Sequence, residues 1–194
     1  MKKHDVYQQI LEVAENFTQT KGYNAFSYRD IAEQVGVKTS SIHYYFPTKA
    51  DLGQAVVKKH IEALCDELEQ LILTKNFSCQ KKLELFIDGI VTKTYLSNQK
   101  MCLGGMLASD VLTLPDIIQK EVRVFFNRLE DWLKRLLLEA CNKKEFCLEK
   151  KAIASETQLI LSLLEGSLLL ARLFQDEKYL TSTRRNILER LIRV

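Results

Sequence analysis

The chain has 194 residues, 46% apolar and 27% charged, which is enough to bury a core and typical of a folded globular protein. Its 28 basic and 25 acidic residues leave a formal charge of +3, which permits a nucleic-acid partner but does not by itself argue for one. The five cysteines are odd in number and include no Cys-x-x-Cys pair and no histidine at zinc-ligand spacing, so neither a disulfide framework nor a structural metal is expected.

Near the N-terminus, Gln8, Gln9, Glu12 and Glu15 interrupt the segment where a secretory signal would need an unbroken apolar run, so a cytoplasmic protein with reduced thiols is expected. Val6, Ile10, Val13, Ala14 and Phe17 recur at helical spacing and predict a first helix from about residue 5 to Lys21, stopped by Gly22. Ser27 with Asp30 three residues on is a capping-box pattern, and Gly36 is a stop signal, so a short helix of about eight residues lies between them.

Between Gly36 and Pro47 the sequence is rich in Ser, Thr, His and Tyr, with Ile42 and Phe46 four apart as anchors. A helix with so narrow an apolar stripe exposes most of its surface. Thr48 and Asp51 repeat the capping pattern and open a long helix marked by Leu52, Val56, Leu64, Leu68 and Leu71, ending near Leu73. Helical periodicity then recurs over Lys82–Leu96, Cys102–Val111, Pro115–Cys141, Ile153–Phe174 and Leu180–Arg193, with polar or proline-containing breaks between. The expectation is an all-α chain of about nine helices. The most apolar stretch, Leu159–Phe174, is interrupted by Glu165 and Arg172 and falls short of the roughly 20 residues of a bilayer span, so a packed interior helix is expected and no membrane partner.

A short helix, a glycine turn and a second short helix of mostly polar surface make a helix-turn-helix, in which the first helix packs and the second turns its face to bases and phosphates. Residues 27–52, SYRDIAEQVGVKTSSIHYYFPTKADL, resemble the DNA-binding signature of the TetR family of repressors. The likeness rests on the cap and Ile-Ala pair of the second helix, Gly-Val in the turn, an aromatic-rich third helix ending in Phe, and a Lys opening the fourth. Two positions depart from the usual pattern: Lys38 replaces a small polar cap, and His43 stands where the first Tyr is common.

The resemblance implies an N-terminal helix-turn-helix domain over residues 1–48 and a helical effector-binding and dimerisation domain over 49–194. It implies that Tyr28, Arg29, Thr39, Ser40, Ser41, His43 and Tyr44 face DNA and that Lys49 meets a phosphate, where the amides opening the fourth helix also favour an anion. The implied partners are a double-stranded operator, a second copy of the chain and a small-molecule effector. In such proteins the last two helices pair with their twins, which nominates Leu164, Leu168, Ile187 and Leu191 as interface residues.

Phe86, Tyr95, Met106, Phe125, Phe126 and Trp132 are candidates to line an effector pocket, although aromatics at helical spacing also serve as core. Cys102 stands at the opening of the sixth helix, where amide dipoles favour a thiolate. Its surroundings also resemble those of family members that respond to N-ethylmaleimide, which makes it a candidate redox or electrophile switch. No activated nucleophile, general base or metal set indicates an enzyme, and no cofactor is expected.

Overall fold

The computed structural model describes residues 3–192, and within them the chain is helical, with α-helices α1 (Lys3–Lys21), α2 (Tyr28–Val35), α3 (Thr39–Tyr45), α4 (Lys49–Leu73), α5 (Cys79–Lys93), α6 (Leu103–Ser109), α7 (Asp116–Lys143), α8 (Ile153–Phe174) and α9 (Lys178–Ile192). Short 3-10 turns cover Tyr23–Ala25, Val111–Thr113 and Lys150–Ala152. The all-α expectation of nine helices matches the described residues; Arg193, which the periodicity assigned to the last helix, lies outside them.

The stop signals act as their chemistry dictates. Gly22 and Gly36 adopt φ of 93° and 76°, a region costly for a side chain bearing Cβ, and the Gly36 amide closes α2 on the Ala32 carbonyl at 2.9 Å. At the other end of α2, the Ser27 amide and hydroxyl both donate to Asp30, each at 2.7 Å. Thr48 does the same with Asp51 at 2.9 and 2.7 Å. Each box satisfies donors that a helix start would leave orphaned.

Two compact units divide the chain. The first runs through Ala63 and adds Leu103–Phe125; the second comprises Leu64–Cys102 and the chain from Phe126 on. The sequence division at 48/49 falls inside the first unit and coincides with the start of α4, whereas the two units divide within α4, at 63/64.

In the first unit, Ile10, Ala14, Ile31, Ile42, Phe46 and Leu52 form a core from α1 through α4. The Phe125 ring lies so close over Gly104 of α6 that a Cβ there would sit 2.3 Å from it, so only glycine fits. Gly53 plays the same part on α4, where a Cβ would meet Ile118 at 2.5 Å.

In the second unit, Leu83, Ile87, Leu133, Leu136, Ile160 and Ile187 are fully buried. The Trp132 indole donates to the Leu68 carbonyl at 2.7 Å, and Lys82, almost wholly buried, closes the end of α4 by donating to Ile72 at 2.6 Å. Arg184 pairs with Asp88 and Arg190 with Glu156, tying α9 to α5 and α8.

α8 has the bounds the periodicity predicts, and with the 3-10 turn before it the segment Lys150–Phe174 is long and apolar enough, by length and composition alone, to cross a bilayer. Its Ile160, Leu164 and Leu168 are instead buried in the second unit. Leu164, Leu168, Ile187 and Leu191, nominated as interface residues, are all core, each no more than 4% exposed. α8, rich in leucine, carries two apolar stripes, and the one facing α9 is filled within the chain. The other stripe, with Leu169, Leu173 and Phe174 58–68% exposed, remains open.

Candidate nucleic-acid interface

α3 is seven residues long and is anchored as its sequence requires: Ile42 is fully buried and Phe46, just after the helix, is nearly so. Thr39, Ser40, His43 and Tyr44 are exposed and Ser41 partly so, a continuous polar and aromatic face. Tyr44 is 67% exposed, with its ring edge-on to Tyr45 at 5.1 Å; Tyr45 in turn leans on Tyr7 of α1 at 5.6 Å. Tyr7 stacks on Phe46 at 5.2 Å, so the end of α3 rests on an aromatic ledge supplied by α1.

His43 places Nδ1 3.3 Å from the Pro47 carbonyl. With the ring proton on Nδ1, that nitrogen donates to Pro47 and Nε2 is presented outward as an acceptor. Arg29, on the first turn of α2, and Lys38, which precedes α3, are both exposed cations flanking this face. The Lys38 side chain makes no cap hydrogen bond, and of the amides that open α3 that of Ser41 donates to the Lys38 carbonyl at 2.9 Å.

Two of the eight residues expected to face DNA, both half-buried, also make contacts within the fold. The Tyr28 hydroxyl donates to the Phe46 carbonyl at 2.9 Å, and its ring packs edge-on against His43 at 4.7 Å, so Tyr28 is turned inward to tie α2 to the end of α3. Burial first, and the Asp51 carboxylate second, push its phenol well above the ordinary value.

Lys49 is the second of these residues. Its ammonium donates to the Tyr23 carbonyl at 2.6 Å and to that of Phe26, and it lies over both rings at 4.7 and 4.3 Å. Burial pulls its pKa down, partly offset by the Asp30 charge. In sequence a Lys next to a helix start reads equally well as a phosphate ligand; the fold brings the carbonyls of Tyr23 and Phe26 within its reach. At the start of α4 the Thr48 amide donates to the Asp51 carboxylate and the Asp51 amide donates to the Thr48 hydroxyl at 3.2 Å.

The six candidate pocket residues are divided between the two units. Met106 and Phe125 belong to the first unit, and Phe86, Tyr95, Phe126 and Trp132 to the second. Phe86 and Trp132 are buried against each other with centroids 4.9 Å apart, and Phe125 fills the space beside Gly104. These three are packing residues, as aromatics at helical spacing often are. A concavity of about 520 Å³ lies on α1 and α2 among Gln9, Glu12, Val13, Asn16, Phe17, Gln34 and Val35, and none of the six lines it.

Cys102, immediately before α6, is 9% exposed, and its thiol hydrogen-bonds to the Glu165 carboxyl.

The model for the family described as "Bacterial regulatory proteins, tetR family" matches residues 10–56, which span most of α1 through the start of α4. A TetR transcriptional regulator from Legionella pneumophila is 42% identical, with 95% of this chain and 96% of that one covered at a TM-score of 0.90. An uncharacterised HTH-type transcriptional regulator in the lacX 3' region of Lactococcus lactis is 25% identical over 90% of this chain and 87% of its own length. The reduced form of NemR from E. coli shares the fold at a TM-score of 0.84 over 98% of this chain and 100% of that one, with 16% identity. With a helix-turn-helix of this geometry and a relative this similar over nearly its whole length, the chain belongs to the TetR family of transcriptional regulators.

Proposed function

We propose that the protein is a homodimeric, cytoplasmic repressor that binds an inverted-repeat operator through α3 and is released from it by a small-molecule effector, without enzymatic activity. The observation that carries the DNA reading is the outward face of Thr39, Ser40, His43 and Tyr44 on a helix whose other side is locked to the core. Short hydroxyls and an exposed phenol suit base edges and phosphates in a major groove. Arg29 and Lys38 supply the phosphate contacts, and Ser41 supports them from the edge of the face. Tyr28 and Lys49 are positioning residues in this scheme.

One α3 reads only a few base pairs, so useful affinity calls for two copies at a fixed spacing. The second stripe of α8, with Ser162, Gly166, Leu169 and Leu173 at helical spacing, is the surface for that pairing: it is exposed, and a Cβ added at Gly166 would meet nothing within 4 Å. An effector that prefers a dimer with a different separation of the two α3 helices releases the operator by population shift. The reading is tested by selecting fragments of genomic DNA on the purified protein and measuring affinity for the recovered sites: an inverted repeat supports it, and recovery of no preferred sequence refutes it.

A further inference from the structure

Among the described residues, two buried side-chain polar atoms have no hydrogen-bond partner, Thr157 Oγ1 and Glu165 Oε2. Both lie on α8, and Thr157, Leu161 and Glu165 are successive positions of one i, i+4, i+8 ridge. At about 1.5 Å per residue the two unpartnered atoms sit at the ends of a line roughly 12 Å long with an apolar side chain between them. Among the described residues no ion pair of Glu165 is seen, and its carboxyl takes a hydrogen bond from the Cys102 thiol. Every other charged group buried in this unit is matched: Lys82 by Ile72 and Glu139, and Glu156 by Arg190.

An unpaired buried carboxyl is costly to keep, and a neutral side chain of the same size would avoid the cost. Resting on the reading of the chain as an effector-released repressor, we infer that the Thr157–Leu161–Glu165 ridge is the effector site and that the effector is an amphiphilic organic amine. Its ammonium pairs with Glu165 and its apolar body lies along Leu161. An anionic effector would meet the Glu165 charge in a poorly solvated place. Because Oε2 is fully covered, a ligand reaches it only by parting the packing around α8, so binding is coupled to a change of shape. Burial also raises the Glu165 pKa, as expected of a carboxyl that lacks its cation.

The test uses the full-length protein and three probes matched in chain length: octylamine, octan-1-ol and octanoate. Calorimetry at neutral pH should show octylamine binding at least about tenfold more tightly than the alcohol, with octanoate weakest, since a hydrogen bond to a charged group is stronger than one between neutral groups. Glu165→Gln should bring amine and alcohol to equal affinity. Equal binding of all three probes to the wild type, or an undiminished amine preference in Glu165→Gln, overturns the inference. The wild-type ranking decides the matter even if the variant fails to fold. Operator affinity of the unliganded wild type, measured alongside, tests the repressor reading separately, because its absence would leave the ranking of probes untouched.

Discussion

The Tyr28 hydroxyl donates to the Phe46 carbonyl at 2.9 Å, joining the first residue of α2 to the residue that ends α3. Lys49 makes a second tie, from the start of α4 to the carbonyls of Tyr23 and Phe26. Together they fix both ends of the helix-turn-helix from within, so that the exposed face of α3 is held at one angle. Tyr28→Phe removes one neutral hydrogen bond and should lower stability by about 1 kcal/mol. It should weaken operator binding a few-fold while leaving the salt dependence unchanged, because no phosphate contact is lost. Chemical denaturation and binding titrations at several salt concentrations check both halves.

Lys49→Ala leaves two carbonyls without a donor and should cost roughly 1–3 kcal/mol of stability, with little change in the slope of log affinity against log salt. Lys38→Ala and Arg29→Ala should do the reverse, each flattening that slope by about one unit with the melting temperature almost unchanged. If Lys49→Ala flattens the slope and Lys38→Ala does not, the division between positioning and phosphate contact is inverted.

The two stripes of α8 are separable by mutation. Leu164→Glu and Leu168→Glu place a charge in the core of the second unit and should abolish folding. Leu169→Glu and Leu173→Glu should give a folded, helical monomer by sedimentation and circular dichroism, with operator affinity lost. A Leu173→Glu protein that remains a dimer would move the interface elsewhere.

Glu165 makes stability fall with rising pH. Its folded-state pKa is raised by burial, with the Cys102 hydrogen bond opposing weakly, so the folded state holds the proton more tightly than the unfolded chain. The contribution is complete below the ordinary value near 4.5 and is lost as pH climbs through the folded-state value. Glu165→Gln removes this term, so the melting temperature of the variant relative to wild type should increase as pH is raised from 4.5. A constant difference across that range would show that the carboxyl is better solvated than its position indicates.

Much of this was legible in sequence. Gly22, Gly36 and the Ser27–Asp30 and Thr48–Asp51 pairs announce helix boundaries by local chemistry, and the Ile42–Phe46 spacing says which side of α3 is anchored. What was not legible depends on contacts distant along the chain: Lys49 reaches back across more than 20 residues to Tyr23 and Phe26, and Tyr28 across 18 to Phe46. The choice between the two leucine stripes of α8 is decided by α9, which periodicity in α8 alone cannot see. Glu165 did leave a signal, as an acid inside the most apolar stretch of the chain, but its meaning required knowing that it lacks a cation.

The central claim is that two copies of α3 read an inverted repeat. It is tested most directly by titrating the full-length protein, at moderate salt, against a selected genomic site, the same site with one half scrambled, and the same site with both halves scrambled. Tyr44→Ala and Thr39→Ala are measured on the intact site and on its single-base variants. The account predicts tight binding by a dimer only to the intact repeat, a loss with either half scrambled, and altered base preference in both variants at positions within the half-site. Equal affinity for intact and fully scrambled DNA, with base preference unmoved by Tyr44→Ala and Thr39→Ala, would contradict it.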